Sequence, residues 1–324
     1  MLEQISPLWG VYLKHKEHGM PLVLATLVKT IGSSYKKVGA MMLIESNRTT
    51  HGLLSGGCLE ADVAEHAMAV FESGDAKKLV YDLSDESVFG LGAGCDGTIH
   101  IVLQLIKDDY LPFSALNPLP EAASSVELYI ESGTAHNHPI GAYYLIKNQQ
   151  LIESVPGFFQ TASKQINPLL YQAPPKVAIC GAGIDARPVL KLLHFLHWHV
   201  YLIDHAVGRL EQATQSLKTH TINIKPDTLS ATLSAYDFDA VIIMSHHLDR
   251  DAEYLQYFTD TNTEWIGLLG PISRRNKVLH KAKLSLDQIQ HRLKSPIGLS
   301  IGGNMPENIA ISITAQLQSH FYQS

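Results

Sequence analysis

The sequence predicts an α/β protein: an N-terminal α+β domain over residues 1–111 and a C-terminal doubly wound parallel-sheet domain over 176–324, joined by a connector over 112–175. Three observations point to this organisation. From Lys176 onward, short apolar runs alternate with helical stretches, the pattern of strand–helix–strand units and a parallel sheet. A glycine turn, Gly181-Ala182-Gly183, separates the first of those runs from its helix, and Asp204 closes the next run about twenty residues on. Residues 1–111 set several strand-like runs around two helical stretches instead.

The elements follow in order. A helix opens around Leu8 to Glu17, the apolar run Leu22 to Val28 is a strand, and Ala40 to Glu45 is a second one. A turn at Ser46-Asn47 leads to a strand near Leu53. Glu60 to Glu72 places Val63, Ala67, Met68 and Phe71 on one helical face and stops at Gly74; strands at Lys78 to Leu83 and Thr98 to Leu105 follow. Between Pro112 and Pro175, proline-bearing polar stretches separate short runs at Val126 to Ile130, Gly141 to Ile146 and Leu151 to Glu153, as in a connector with its own hairpins. Beyond it, Val177 to Cys180, Val200 to Ile203, Ala240 to Met244 and Trp265 to Leu269 read as buried strands, with helices at Pro188 to Leu196 and Pro306 to Gln318.

Composition narrows the function classes. With 45% hydrophobic and 17% charged residues, the 324-residue chain reads as globular. A net charge of −6 argues against a nucleic-acid partner. No run reaches the roughly 18 apolar residues of a membrane helix, and the first twenty residues lack an apolar leader core, so the expectation is a cytoplasmic protein without a membrane span. Three cysteines without CxxC spacing indicate neither a disulfide framework nor a zinc knuckle.

The glycine turn has the features of a Rossmann fold. Gly181 permits a tight turn, Gly183 lets the backbone approach a pyrophosphate, and Ala186 replaces the third glycine while keeping helix packing close. Asp204 stands where a carboxylate accepts bonds from ribose hydroxyls. Asp185, at the helix start, can cap the N–H groups a phosphate would need, which weakens the case for NAD or NADP.

In the front half, Ser55-Gly56-Gly57-Cys58-Leu59-Glu60 places a cysteine at the start of a helix, where the helix field lowers a thiol pKa and exposes the sulfur. Leu91-Gly92-Ala93-Gly94-Cys95-Asp96-Gly97 repeats the device in a loop suited to an anion-binding nest. The competing reading of both is a small buried hydrophobe beside a tight turn, which is also the reading of Cys180 within its strand. Ser33, Ser34 and Lys37, between Gly32 and Gly39, form either a cradle for one phosphate or a plain polar hairpin.

Read together, Gly32-Ser33-Ser34 with Gly39-Ala40, Gly56-Gly57-Cys58-Leu59-Glu60 and the Leu91–Gly97 segment resemble the amino-terminal domain of the XdhC/CoxI family. The resemblance continues through Gly181-Ala182-Gly183, Asp204, Ser245-His246, Ile266 to Gly270, and the Ser295–Gly302 segment running into Pro306 to Ser312. It implies an accessory protein for molybdenum hydroxylases such as xanthine dehydrogenase. Such a protein binds the molybdenum cofactor, protects it while its terminal sulfur is installed, and delivers it without turning over xanthine, so no catalytic residue is assigned. The implied partners are the hydroxylase and a sulfur donor such as a cysteine desulfurase, and a homodimer is expected. A soft thiolate at Cys58 and a phosphate nest suit a molybdenum pterin dithiolene that carries a phosphate. The sequence departs from the family at Ile184-Asp185, His205-Ala206 and Pro271, which puts the back-half ligand in doubt.

Ser245-His246-His247-Leu248-Asp249 with Asp251 resembles a metal cluster, yet adjacent histidines on an extended loop point apart, so no metal is expected and His246 is read as facing the crevice. Arg274, Arg275 and Lys277 suit a phosphate, a partner's acidic surface or a solvated helix face. Two alternatives stand beside the accessory reading: an NAD(P)-dependent oxidoreductase, for which no paired acid and base is found, and a nucleotide-sensing regulatory module.

Overall fold

The computed structural model describes residues 5–83, 97–118, 125–133, 138–162, 166–215, 217–225 and 227–322. It divides into two compact units, Met1–Pro174 and Pro175–Ser324.

The first unit is built on a five-stranded antiparallel sheet of order β3-β2-β1-β5-β4, made of β1 (Leu22–Gly32), β2 (Met41–Ile44), β3 (Thr50–Gly52), β4 (Lys77–Asp82) and β5 (Gly97–Ile106). The sequence predicts that β1 stops at Val28. It runs on because the register with β5 shifts between Leu27 and Lys29 and pairing resumes to Gly32 opposite Gly97, where Lys29 and Thr30 interrupt the apolar run before the exposed Ile31. Helix α1 (Ser6–Glu17) covers one face with Leu8, Trp9 and Tyr12 against Leu24, Met41 and Val102. Helix α2 (Glu60–Ser73) covers the other with Val63, Ala67 and Val70 against Val23, Ala25 and Ile101. Gly74, at φ 77°, ends α2 with its N–H on the Val70 carbonyl, a left-handed stop that suits glycine.

Within 112–175, β6 (Val126–Ile130), β7 (Tyr143–Lys147), β8 (Gln150–Glu153) and β9 (Leu169–Tyr171) form a second sheet of order β8-β7-β6-β9, with the short helix α3 (Phe158–Ala162) between the last two. Val126, Leu128, Leu145 and Tyr171 share one core with α1 and the first sheet.

The second unit is a six-stranded sheet, parallel throughout, of order β12-β11-β10-β13-β14-β15. Its strands are β10 (Lys176–Cys180), β11 (His199–Asp204), β12 (His220–Asn223), β13 (Ala240–Ile243), β14 (Trp265–Leu268) and β15 (Leu293–Lys294). In chain order within the unit this is 3-2-1-4-5-6, the doubly wound Rossmann arrangement. Helices α4 (Ala186–Phe195), α5 (Val207–Thr214) and α10 (Pro306–Tyr322) pack on one face through Val189, Leu193, Leu210, Ile313 and Leu317. The other face carries α6 (Leu229–Leu233), α7 (Leu248–Thr259), α8 (Ile272–Ala282) and α9 (Leu286–Ile289). The edge strands β12 and β15 are too short and polar to show the alternating pattern that betrays a strand. The strand order reverses between β10 and β13, so the crevice lies where both strands end.

Candidate functional site

In the first unit, sheet topology gathers the glycine-bearing segments at one edge. Gly32 ends β1 opposite Gly97, Met41 begins β2 and Gly52 ends β3 opposite Met42. Leu83 donates to the Gly97 carbonyl at 2.8 Å beside them. The 33–40 and 53–59 loops therefore leave the sheet at the same end. Cys95 and Gly94 lie outside the described residues. Gly97 is required at the sheet edge because a Cβ would overlap the Ser33 carbonyl.

The loop before α2 hangs on Glu60, a residue whose anchoring role the sequence reading missed. Its carboxylate is 7% exposed and accepts the N–H groups of Leu54 at 2.9 Å and Ser55 at 2.8 Å, with the Ser55 hydroxyl donating to it at 2.8 Å. Burial works to raise the Glu60 pKa, but the bonds from Ser55 and Leu54 outweigh it and hold the carboxyl below its usual range. Ser55 Oγ in turn accepts from the N–H groups of Gly57 and Leu59, each at 3.3 Å, and from the Cys58 thiol at 3.5 Å. Cys58 is a half-buried free thiol one residue before the cap of α2. Side chains at Gly56 and Gly57 would meet nothing within 4 Å, so the space in front of the thiol's loop is open; Gly57 is glycine for its φ of 106°. Ser33 and Lys37 are exposed, whereas the Ser34 hydroxyl is turned onto the Lys36 carbonyl at 2.8 Å.

In the second unit the glycine turn is tied down from both sides. Gly181, at φ 119°, lies so close to the end of β13 that a Cβ would stand 2.6 Å from the Met244 carbonyl oxygen. Asp204 is 2% exposed, and its two oxygens accept the N–H groups of Ala182 and Ala206 at 2.8 Å each. The carboxylate read as a ribose acceptor is thus engaged inward, joining the glycine turn to the β11–α5 loop. Asp185 differs from its sequence reading as a helix cap: it occupies the N-cap position of α4 but makes no capping bond. Its Oδ2 pairs instead with Nε2 of His246 at 2.7 Å, and His246 reaches it from a backbone at φ 60°. A Cβ on Gly183 would stand 3.3 Å from Asp185 Oδ1 and 3.9 Å from the His246 ring, so this pair lies over the glycine that a pyrophosphate would approach.

Next to His246, the buried Asp251 accepts the Ser245 N–H at 3.1 Å and its hydroxyl at 2.5 Å, and pairs with Arg274 at 2.6 Å. Arg274 is therefore committed to the β13–α7 loop, and Gly270, at φ 111°, makes room for its side chain. No local spacing signalled this network; its members become neighbours only when β13 and β14 align. Arg275 reaches the Ser295 carbonyl at 3.5 Å, and Lys277 lines a shallow pocket with Leu248 and Lys281. Cys180 is fully buried in β10, and burial pushes its thiol well up. Among the described residues no group of three or more His, Cys, Asp or Glu side chains is placed to hold a metal ion, and no helix is long and apolar enough to cross a membrane.

Comparison with known proteins places these features in context. Residues 177–317 match the XdhC Rossmann domain and residues 15–82 match the XdhC and CoxI family, together well over half of the chain. The chain is 28% identical over 309 residues to a probable xanthine dehydrogenase subunit from Bacillus subtilis (strain 168), covering 91% of this chain and 92% of that one. It is 24% identical over 305 residues to the molybdenum cofactor insertion chaperone PaoD of Escherichia coli (strain K12), covering 93% and 84%. A crystal structure from Bacillus halodurans, described as a xanthine dehydrogenase, superposes with a TM-score of 0.81 at 29% identity over 96% of this chain and 94% of that one.

Proposed function

The chain belongs to the XdhC and CoxI family, and on that premise we propose that it is a maturation factor for a molybdenum hydroxylase such as xanthine dehydrogenase. It takes the molybdenum cofactor as cargo, supports its sulfuration by a donor such as a cysteine desulfurase, and passes it to the hydroxylase. The names of the Bacillus subtilis and Escherichia coli relatives, one tied to xanthine dehydrogenase and one to cofactor insertion, support this reading.

The observation that carries it is the glycine edge of the first unit. A half-exposed thiol at Cys58 stands on a loop that buried Glu60 holds rigid, with open space at Gly56 and Gly57. A soft sulfur suits a molybdenum centre, and the free approach to the Gly56 and Gly57 backbone suits a phosphate. A thiol in reach of solvent, rather than one sealed in a core, fits a cargo that must be released. Cytoplasmic location and a homodimer accompany the proposal.

The test is cofactor retention. Purified from cells making molybdenum cofactor, the wild type is expected to carry pterin and molybdenum, and Cys58→Ser to lose most of both, with Cys95→Ser as the comparison. Equal cofactor content in all three proteins would remove the front-site assignment.

The competing reading, an NAD(P)-dependent oxidoreductase, is opposed by the Asp185–His246 pair over Gly183. It predicts tight NADH or NADPH binding by fluorescence titration and substrate-dependent oxidation of the bound nucleotide.

A further inference from the structure

Helices α4 and α10 lie side by side on one face of the parallel sheet. Val189, Leu193, Ile313 and Leu317 face the sheet, which turns the opposite side of each helix outward. Both start at the carboxyl ends of strands, and Trp198, just past α4, packs edge-on to Phe321, near the end of α10, at 5.6 Å. The two helices therefore run in the same direction.

The outward side is apolar. Phe195 is 78% exposed, and Ile184, in the turn before α4, is 72% exposed. They stand about three helical turns apart and so mark the two ends of one stripe. Beside them Ile311 is exposed on α10, and the loop leading into that helix displays Leu299, Ile301 and Met305. Bonds to α10 fix this loop: Gly298 donates to the Gln316 side chain at 2.8 Å, Leu299 to the Ser312 carbonyl at 3.2 Å, and the Ser312 hydroxyl to the Leu299 carbonyl at 2.6 Å. Large apolar side chains held out together on ordered backbone form a patch, whereas single scattered ones would need no explanation. With α10 about 25 Å long and a second helix about 10 Å beside it, the face is comparable with the roughly 800 Å² that each partner buries in a standard interface.

The charges on this face identify its occupant. Lys191 on α4 and Glu307 on α10 are exposed, and among the described residues neither forms an ion pair within the chain. Arg187 is half-buried, and His320, at the far end, faces Glu264. Counted from the Trp198–Phe321 contact, Lys191 stands about one turn to one side of Ile311 along the helices and Glu307 about one turn to the other. A two-fold axis at the level of Ile311 lays α4 of one copy across α10 of the other. Each Lys191 then meets the Glu307 of the second copy, and each Phe195 meets its Ile301 and Met305. The surface is thus complementary to itself, as a two-fold interface requires.

We propose that the outer face of α4 and α10 is the interface through which two copies of this chain form a homodimer. The assignment rests on the homodimer of the proposed function and not on its cofactor chemistry.

Sedimentation equilibrium of the full chain tests it, with circular dichroism as the check on folding. The wild type is expected to be a dimer at micromolar concentration, and Phe195→Asp and Met305→Asp to be monomers. Lys191→Glu is expected to raise the dimer Kd about tenfold or more, because the two-fold axis repeats the like-charge contact. Adding Glu307→Lys is expected to bring the Kd back close to that of the wild type. Should the aspartate variants fail to fold, the charge-reversal pair decides. A monomeric wild type removes the homodimer and this surface together. A dimer that the folded aspartate variants leave intact, or a doubly reversed variant no tighter than Lys191→Glu, overturns the surface alone. Pterin content of the wild type, read on the same preparation, judges the cofactor-handling reading separately.

Discussion

At the residue scale, the decisive side chains are acids whose bonds point inward. Glu60 holds the Cys58 loop through two backbone N–H groups and a hydroxyl. Because its folded pKa is depressed, its stabilisation is present above the unfolded value of about 4.3 and is lost as pH falls through the lower folded value. Glu60→Gln is therefore expected to destabilise the first unit by about 1–3 kcal/mol at neutral pH and to flatten the acid limb of its stability curve, as read by urea melts at pH 7 and below. The two described cysteines should differ as their burial differs. Native-state alkylation followed by peptide mapping is expected to modify Cys58, while Cys180, fully buried with its thiol pushed up, reacts only after unfolding. Labelling of Cys180 in the folded protein would contradict its place in β10.

At the scale of elements, the glycine turn and the β13–α7 loop constrain each other. Gly181→Ala drives a Cβ into the Met244 carbonyl at a φ of 119° and is expected to cost more than the roughly 1–3 kcal/mol of backbone strain alone. Gly183→Ala, at an ordinary φ and 3.3 Å from a side-chain oxygen that can shift, is expected to lower the melting temperature far less. The two substitutions separate a glycine needed for the turn from one read as needed for a ligand. Asp251→Ala leaves Arg274 without its partner and is expected to cost on the order of 3 kcal/mol, partly recovered by adding Arg274→Met, in a double-mutant comparison of denaturation midpoints.

At the scale of the molecule, two units with separate cores carry separate tasks in the proposed function. The first unit packs α1 and its second sheet on one face of the five-stranded sheet and α2 on the other, and the second unit's two cores flank the parallel sheet. Gly181→Ala is therefore expected to lower a transition of the second unit while leaving cofactor retention through the Cys58 loop intact, which calorimetry and pterin content measure on one preparation. Loss of both together would show that the two units fold as one.

The Rossmann fold was legible from the sequence because its central strands Val177–Cys180, Val200–Ile203, Ala240–Met244 and Trp265–Leu269 are almost wholly buried and read as unbroken apolar runs. The glycine turn and the Cys58 loop were legible for a similar reason: glycine and cysteine announce backbone conformation and sulfur chemistry at the position where they stand. The edge strands β12 and β15 were not, being short and half-exposed. Nor could the sequence alone determine what each acid bonds. Asp185 meets His246 across 61 residues and Asp251 meets Arg274 across 23, and Asp204 turns inward to Ala182 across 22. Local composition determined the strands and turns, but the bonds of these carboxylates depend on which strand ends the parallel sheet brings side by side, and only the tertiary structure decided that.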